Sequence, residues 1–75
     1  MQGRTWPGPL TAREIQILDL MGRGLSRLEM ARVLSISPNT VQHHQRLIYL
    51  RLEAKNAPSA IAKGFRLGYL MLVGM

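Results

Sequence analysis

The chain has no cysteine, so neither a disulfide nor a thiolate metal site can supplement its core. It has only four acidic residues, and none falls between Met30 and Leu52. Aromatics are scarce: one Trp, one Phe and two Tyr in 75 residues. The core must therefore be aliphatic. No uninterrupted apolar stretch approaches the roughly 18 residues of a membrane span. The N-terminus carries no apolar signal segment, which leaves the cytoplasm as the expected compartment. Two adjacent histidines are not metal-ligand spacing on a helix, because neighbours point about 100° apart. Nothing pairs a nucleophile with a base, two carboxylates, or a glycine loop for phosphates, so the chain reads as a non-enzyme with no cofactor and no metal.

What is present is positive charge and apolar periodicity. Ten Lys and Arg give a net charge of +6 on a chain with 47% hydrophobic residues. That balance fits one small domain with a polyanionic partner, most often nucleic acid. A solubilising surface charge is the plain alternative, and charge alone does not separate DNA from RNA or an anionic membrane. Residues 1–9, with Arg4 and Trp6, contain two Gly and two Pro and read as a flexible arm. Thr11-Ala12-Arg13-Glu14 is a capping box that opens a first helix ending near Arg23, with Gly24 just beyond. Ser26-Arg27-Leu28-Glu29 is a second capping box, opening a helix of two to three turns that runs to Leu34. Ser37-Pro38 starts the third helix as N-cap and first helical residue. A fourth is expected from Pro58 or Ser59, with Ala60, Ile61, Phe65 and Leu67 inward and Gly68 at its end.

The third helix, 37–52, divides into two faces. Val41, Ile48 and Leu52 fall together, flanked by His44 and Gln45, while Asn39, Gln42, His43 and Arg46 fall opposite. Amides, an imidazole and a guanidinium without a carboxylate are what a base-reading helix requires. Two helices joined by a tight turn, the second polar on its outer face, form helix-turn-helix patterning. His44 reads as a packed histidine bonded to backbone. Tyr49 reads as a packing residue with its hydroxyl at the surface, a phosphate contact being the alternative.

Taken together these residues resemble the LuxR/FixJ-type helix-turn-helix domain. The resemblance rests on Leu10-Thr11-x-Arg13-Glu14-x-x-Ile17-Leu18-x-Leu20 and on Gly24-Leu25-Ser26-x-x-Glu29-Met30-Ala31-x-x-Leu34-x-Ile36-Ser37. It continues through Thr40-Val41-x-x-His44-x-x-x-Ile48-Tyr49-x-Arg51-Leu52, then Asn56 and Ala60-Ile61. It implies an all-α domain of four helices over residues 10–68, with a central helix-turn-helix and a C-terminal dimerisation helix. It also implies bacterial or phage transcription control. Base-reading positions fall on Gln42, His43 and Arg46. Backbone contacts fall on Thr40, with Asn39, Arg27 and Arg51 beside it. Glu14 matches the acid that pairs with the basic residue at Arg51. Arg46 can grip guanine O6/N7 and Gln42 adenine N6/N7, each through two hydrogen bonds.

The expected partners are double-stranded DNA and a second copy of the chain, with no membrane. The rival reading is an interaction module that keeps the fold but pairs with a larger LuxR-type regulator and inhibits it. Its supports are Gln42, where a Lys or Arg is usual, and the apolar Leu47 and Leu50. The third support is the apolar tail 69–75. The dimer or partner surface would comprise Ile61, Phe65, Tyr69, Leu70 and Leu72. Gly64 stands where Ala is usual, at a helix cost of about 1 kcal/mol. With no receiver or sensing domain in the sequence, control is expected from abundance, a partner, or a longer parent chain.

Overall fold

Every described helix begins at a polar side chain that takes over an otherwise orphaned backbone N–H. A computed structural model of the chain describes residues 9–71. Within them lie four helices: α1 (Ala12–Gly22), α2 (Arg27–Leu34), α3 (Pro38–Leu52) and α4 (Ala57–Arg66). Both capping boxes form. The Thr11 hydroxyl accepts from Glu14 N at 3.1 Å, while Glu14 Oε1 accepts from Thr11 N at 2.9 Å. Ser26 and Glu29 repeat the exchange at 3.2 and 2.7 Å. Those bonds to Ser26 hold the Glu29 carboxyl below its ordinary range. Ser37 Oγ caps α3 by accepting from Thr40 N at 3.1 Å.

The fourth helix begins earlier than expected. Asn56 Oδ1 accepts from Ser59 N at 2.9 Å, which makes Asn56 the cap and places Ala57 and Pro58 in the first turn. Proline is tolerated there because first-turn N–H groups have no intrahelical acceptor. At the other end of the 53–56 link, Glu53 adopts φ 53° and closes α3. Lys63 Nζ then donates to Glu53 O at 2.7 Å, so a cation of α4 sits at the carbonyl end of α3.

Helix α3 is the hub and packs against each of the other three helices. The core is aliphatic: Ile17, Leu18, Met21, Met30, Ala31, Val41, Ile48, Leu52 and Ala60, joined by Leu10 and Leu70. One charged residue is buried with them. Glu14 is 1% exposed, and its Oε1 lies 3.2 Å from Arg51 Nε as well as accepting the capping bond. Arg51 Nη1 also donates to Pro9 O at 3.3 Å, tying the chain entering α1 to the end of α3.

Two expectations about the C-terminal part are corrected. Phe65 and Leu67 do not face inward; they are 38% and 59% exposed. The face of α4 that meets the core runs instead through Ala60 and Gly64. Second, Tyr69 and Leu70 are not a free apolar tail. Gly68, at φ 88°, turns the chain back so that Tyr69 N and Leu70 N both donate to Gly64 O, at 2.9 and 3.1 Å. The Tyr69 hydroxyl accepts from Leu10 N at 3.1 Å, and Leu70 is 5% exposed. Leu70 is therefore a core residue rather than part of a partner surface. The arm residues Arg4 and Trp6, and Leu72 of the tail, lie outside the described residues.

Gly64 is explained by this return. A Cβ there would stand 2.8 Å from Leu18 Cδ2 and 3.1 Å from Leu70 Cδ1. Leu70 also reaches toward Gly22, where a Cβ would find its Cδ1 at 3.7 Å. The leucine occupies space that two glycines leave open. Gly64→Ala should lower stability by about 1 kcal/mol, overpacking outweighing the gain in helix propensity. In a Leu70→Ala background that cost should shrink, and urea denaturation of the four proteins measures the coupling. Breaking the other long-range tie is more severe. Arg51→Met strands a buried carboxylate and should cost about 3 kcal/mol by the same assay.

Candidate nucleic-acid interface

The outward side of α3 is built from residues that its own core stripe turns away. Because Val41, Ile48 and Leu52 point inward, Asn39, Thr40, His43 and Arg46 are exposed and Gln42 is half-buried. The Thr40 and Ser37 hydroxyls lie 2.9 Å apart at the helix start, so Thr40 is held at the N-terminal end of α3, where the helix dipole favours an anion. Neither α3 nor the turn before it carries an acidic residue. The three side chains expected to read bases, Gln42, His43 and Arg46, thus stand on one accessible surface.

The backbone-contact set is divided. Arg27, at the first position of α2, reaches across to α3, where its Nε donates to Gln45 Oε1 at 3.1 Å. Arg51 goes the other way. Its guanidinium is turned to buried Glu14 and to Pro9 O, because a carboxylate inside the core requires a cation beside it. The structure therefore supports the Glu14–Arg51 pair expected from the sequence and removes Arg51 from the exposed surface.

Between α2 and α3 lies an open cleft of about 150 Å³, lined by Arg27, Gln42, Gln45, Arg46 and Tyr49. Gln45 is the addition that sequence reasoning missed, and Tyr49, expected chiefly to pack, joins it in the lining. Their signal was present in the spacing: 42, 45, 46 and 49 follow the i, i+3, i+4, i+7 pattern of a single helical stripe. That stripe lies between the core face and the outermost face, so a two-way division of the helix overlooks it.

His44 departs from expectation. Its ring is tilted 58° to that of His43 at a centroid distance of 6.0 Å, and its Nδ1 is buried with no hydrogen-bond partner. Among the described residues no group of three or more His, Asp or Glu side chains could hold a metal. No described helix is long and apolar enough to cross a membrane.

Comparison with known proteins agrees with this architecture. The GerE family, "Bacterial regulatory proteins, luxR family", matches residues 8–63, and the chain belongs to that family. The transcriptional regulatory protein DesR of Bacillus subtilis is 38% identical over 61 residues, covering 81% of this chain and 31% of DesR. The transcriptional activator protein SolR of Ralstonia nicotianae is 36% identical over 61 residues, 81% of this chain and 26% of SolR. Among solved structures, the response regulator ChrA of a heme-sensing two-component system superposes with a TM-score of 0.83. It shares 35% identity and covers 92% of this chain and 33% of ChrA. The Vibrio cholera VqmA–ligand–DNA complex superposes at 0.77, with 26% identity over 97% of this chain and 31% of VqmA. The chain thus spans about a quarter to a third of the length of these relatives.

The unpartnered ring nitrogen has a measurable consequence. A buried acceptor or donor without a partner carries a desolvation cost of about 1 kcal/mol or more. His44→Leu should therefore leave the chain as stable or raise its stability by about 1 kcal/mol in thermal denaturation followed by circular dichroism. A loss of that size would mean that the imidazole is bonded in solution.

Proposed function

We propose that this chain binds duplex DNA as a transcriptional regulator, with α3 in the major groove. The observation that carries the proposal is the acid-free outer surface of α3, where Gln42, His43 and Arg46 are presented by a helix whose inner side packs against the other three described helices. Arg46 grips a guanine and Gln42 an adenine, His43 discriminating least because imidazole can donate or accept. Arg27, Thr40 and Asn39 meet phosphates and set the register; phosphate contacts supply most of the affinity and α3 the choice of sequence. The net charge of +6 supports this division. The place of action is the cytoplasm, where bacterial or phage DNA lies. The similarity to DesR and SolR, both regulators of transcription, and to VqmA in a complex that contains DNA supports the same reading.

The chain acts as a homodimer through α4, reading two half-sites about one helical turn apart. The exposed Phe65 and the half-buried Ile61 supply that surface, with Tyr69 at its edge. A second reading is favoured by a specific observation. Leu50, Phe65, Leu67 and Met71 are all exposed, at 50, 38, 59 and 73%. A chain with that much uncovered apolar surface could instead pair with a larger LuxR-type regulator and inhibit it.

Selection from random-sequence duplexes separates the two readings. The regulator should enrich a two-fold site with half-sites about 10 bp apart and bind it with a steep salt dependence. Arg46→Ala should weaken binding by about 1–3 kcal/mol and relax the preference at one base pair of each half-site. Phe65→Asp should leave half-site binding intact while abolishing cooperativity between half-sites. Unselective, weak binding by a folded chain would instead favour the inhibitor.

A further inference from the structure

The cleft between α2 and α3 is lined by two arginines and by no acidic residue. Arg27 and Arg46 line it from different helices, with Gln42, Gln45 and Tyr49 between them. Two cations facing one open cavity without an acid are a destabilising arrangement unless an anion or solvent ions compensate them. Arg27 is not loose there. Its Nε donates to Gln45 Oε1 at 3.1 Å, which fixes the plane of the guanidinium and leaves the two terminal amino groups for a ligand. A planar fork with two free N–H groups matches a tetrahedral oxyanion through two parallel hydrogen bonds. Tyr49 adds a neutral hydroxyl that can donate to the same oxyanion.

We infer that this cleft seats one phosphodiester group of the DNA backbone in each half-site, and that Gln45 is the positioning residue that orients Arg27 for it. The inference rests on the DNA-binding reading and deepens it by assigning a site that crosses from α2 to α3. It makes the approach of α3 to the bases depend on a hydrogen bond between two helices, because the phosphate is gripped at the same cleft that Gln42 and Arg46 border. The contact carries no sequence information of its own. It fixes how deeply and at what angle the base-reading surface enters the groove.

The test uses the full chain, the duplex it prefers, and copies of that duplex with single phosphates replaced by neutral methylphosphonate. With the wild-type chain, one replacement per half-site should cost roughly tenfold in affinity, the scale of a single charge-assisted contact. In Arg27→Ala the same replacement should cost nothing further, and the slope of log affinity against log salt should fall by about one per half-site. Gln45→Met keeps the length of the side chain but removes the acceptor. It should lose several-fold in affinity, confined to that phosphate, with sequence preference unchanged. Gln45→Glu keeps an acceptor for Arg27 but places a negative charge in the cleft, and should lose more than Gln45→Met. A purely structural role for Gln45 predicts the reverse order, because the glutamate would strengthen the bond to Arg27. Melting curves identify any variant that fails to fold, and Tyr49→Phe, which should lose about threefold at the same phosphate, serves as the second probe.

Equal binding by Gln45→Met and wild type, or a methylphosphonate penalty that persists in Arg27→Ala, overturns the inference while leaving the DNA-binding reading intact. Saturable binding of inorganic phosphate to the cleft, with no phosphate of the duplex sensitive to replacement, overturns the DNA assignment in favour of a free anion. A wild-type chain that binds no duplex overturns both.

Discussion

One buried carboxylate ties the start of the first helix to the end of the central one. Glu14 Oε1 completes the cap of α1 through Thr11 N and faces Arg51 Nε near the end of α3. Arg51 in turn holds Pro9 O, so the entering chain, the first helix and the central helix meet at a single cluster. An ion pair in such a place contributes little net energy compared with an apolar substitute, but breaking half of it is severe. Its effect is on geometry. The pair links the start of α1 to the last turn of α3, while the buried stripe of Val41, Ile48 and Leu52 decides which residues of α3 are turned outward.

The distribution of charge follows from this arrangement. A basic residue close to a reading surface would ordinarily be assigned to the polyanion, yet Arg51 is committed internally and Arg27, from a different helix, stands at the cleft. Which arginine is turned to the core is settled by where the one buried acid lies. The family resemblance offered both as backbone contacts while also pairing Arg51 with Glu14, and residue spacing does not decide between two such roles, because a helical wheel places residues around an axis without saying what packs against each side. Gln45 was missed for a related reason. It lies at the border of the core stripe, where its significance comes from the α2 residue opposite it.

Much of the architecture was legible because short-range chemistry dictates it. Thr11 with Glu14, Ser26 with Glu29, and Ser37 before Pro38 each mark a helix start within a few residues, and all three form as the spacing predicts. The apolar stripe of α3 was equally legible, since Val41, Ile48 and Leu52 share a face by periodicity. The last quarter was less so. There the packing is decided by what Gly64 lacks, and hydrophobicity patterns record side chains rather than the gaps between them. Phe65 and Leu67 look like core candidates in sequence and stand exposed, whereas Leu70 looks like tail and fills the space beside Gly64. Of the two positions expected on a partner surface, Phe65 is exposed and Leu70 is buried.

The return of the chain after Gly68 also bears on where this domain stops. The luxR-family match ends at residue 63, inside α4 and one residue before Gly64. A segment cut at that boundary for transplantation into a chimeric regulator would omit the glycine, the leucine that fills its groove, and the tyrosine that holds Leu10. The cooperative unit is longer than the segment by which its family is recognised. Fusion joints placed beyond Met71 preserve it, whereas joints placed at the family boundary open the core at the junction of α1 and α4.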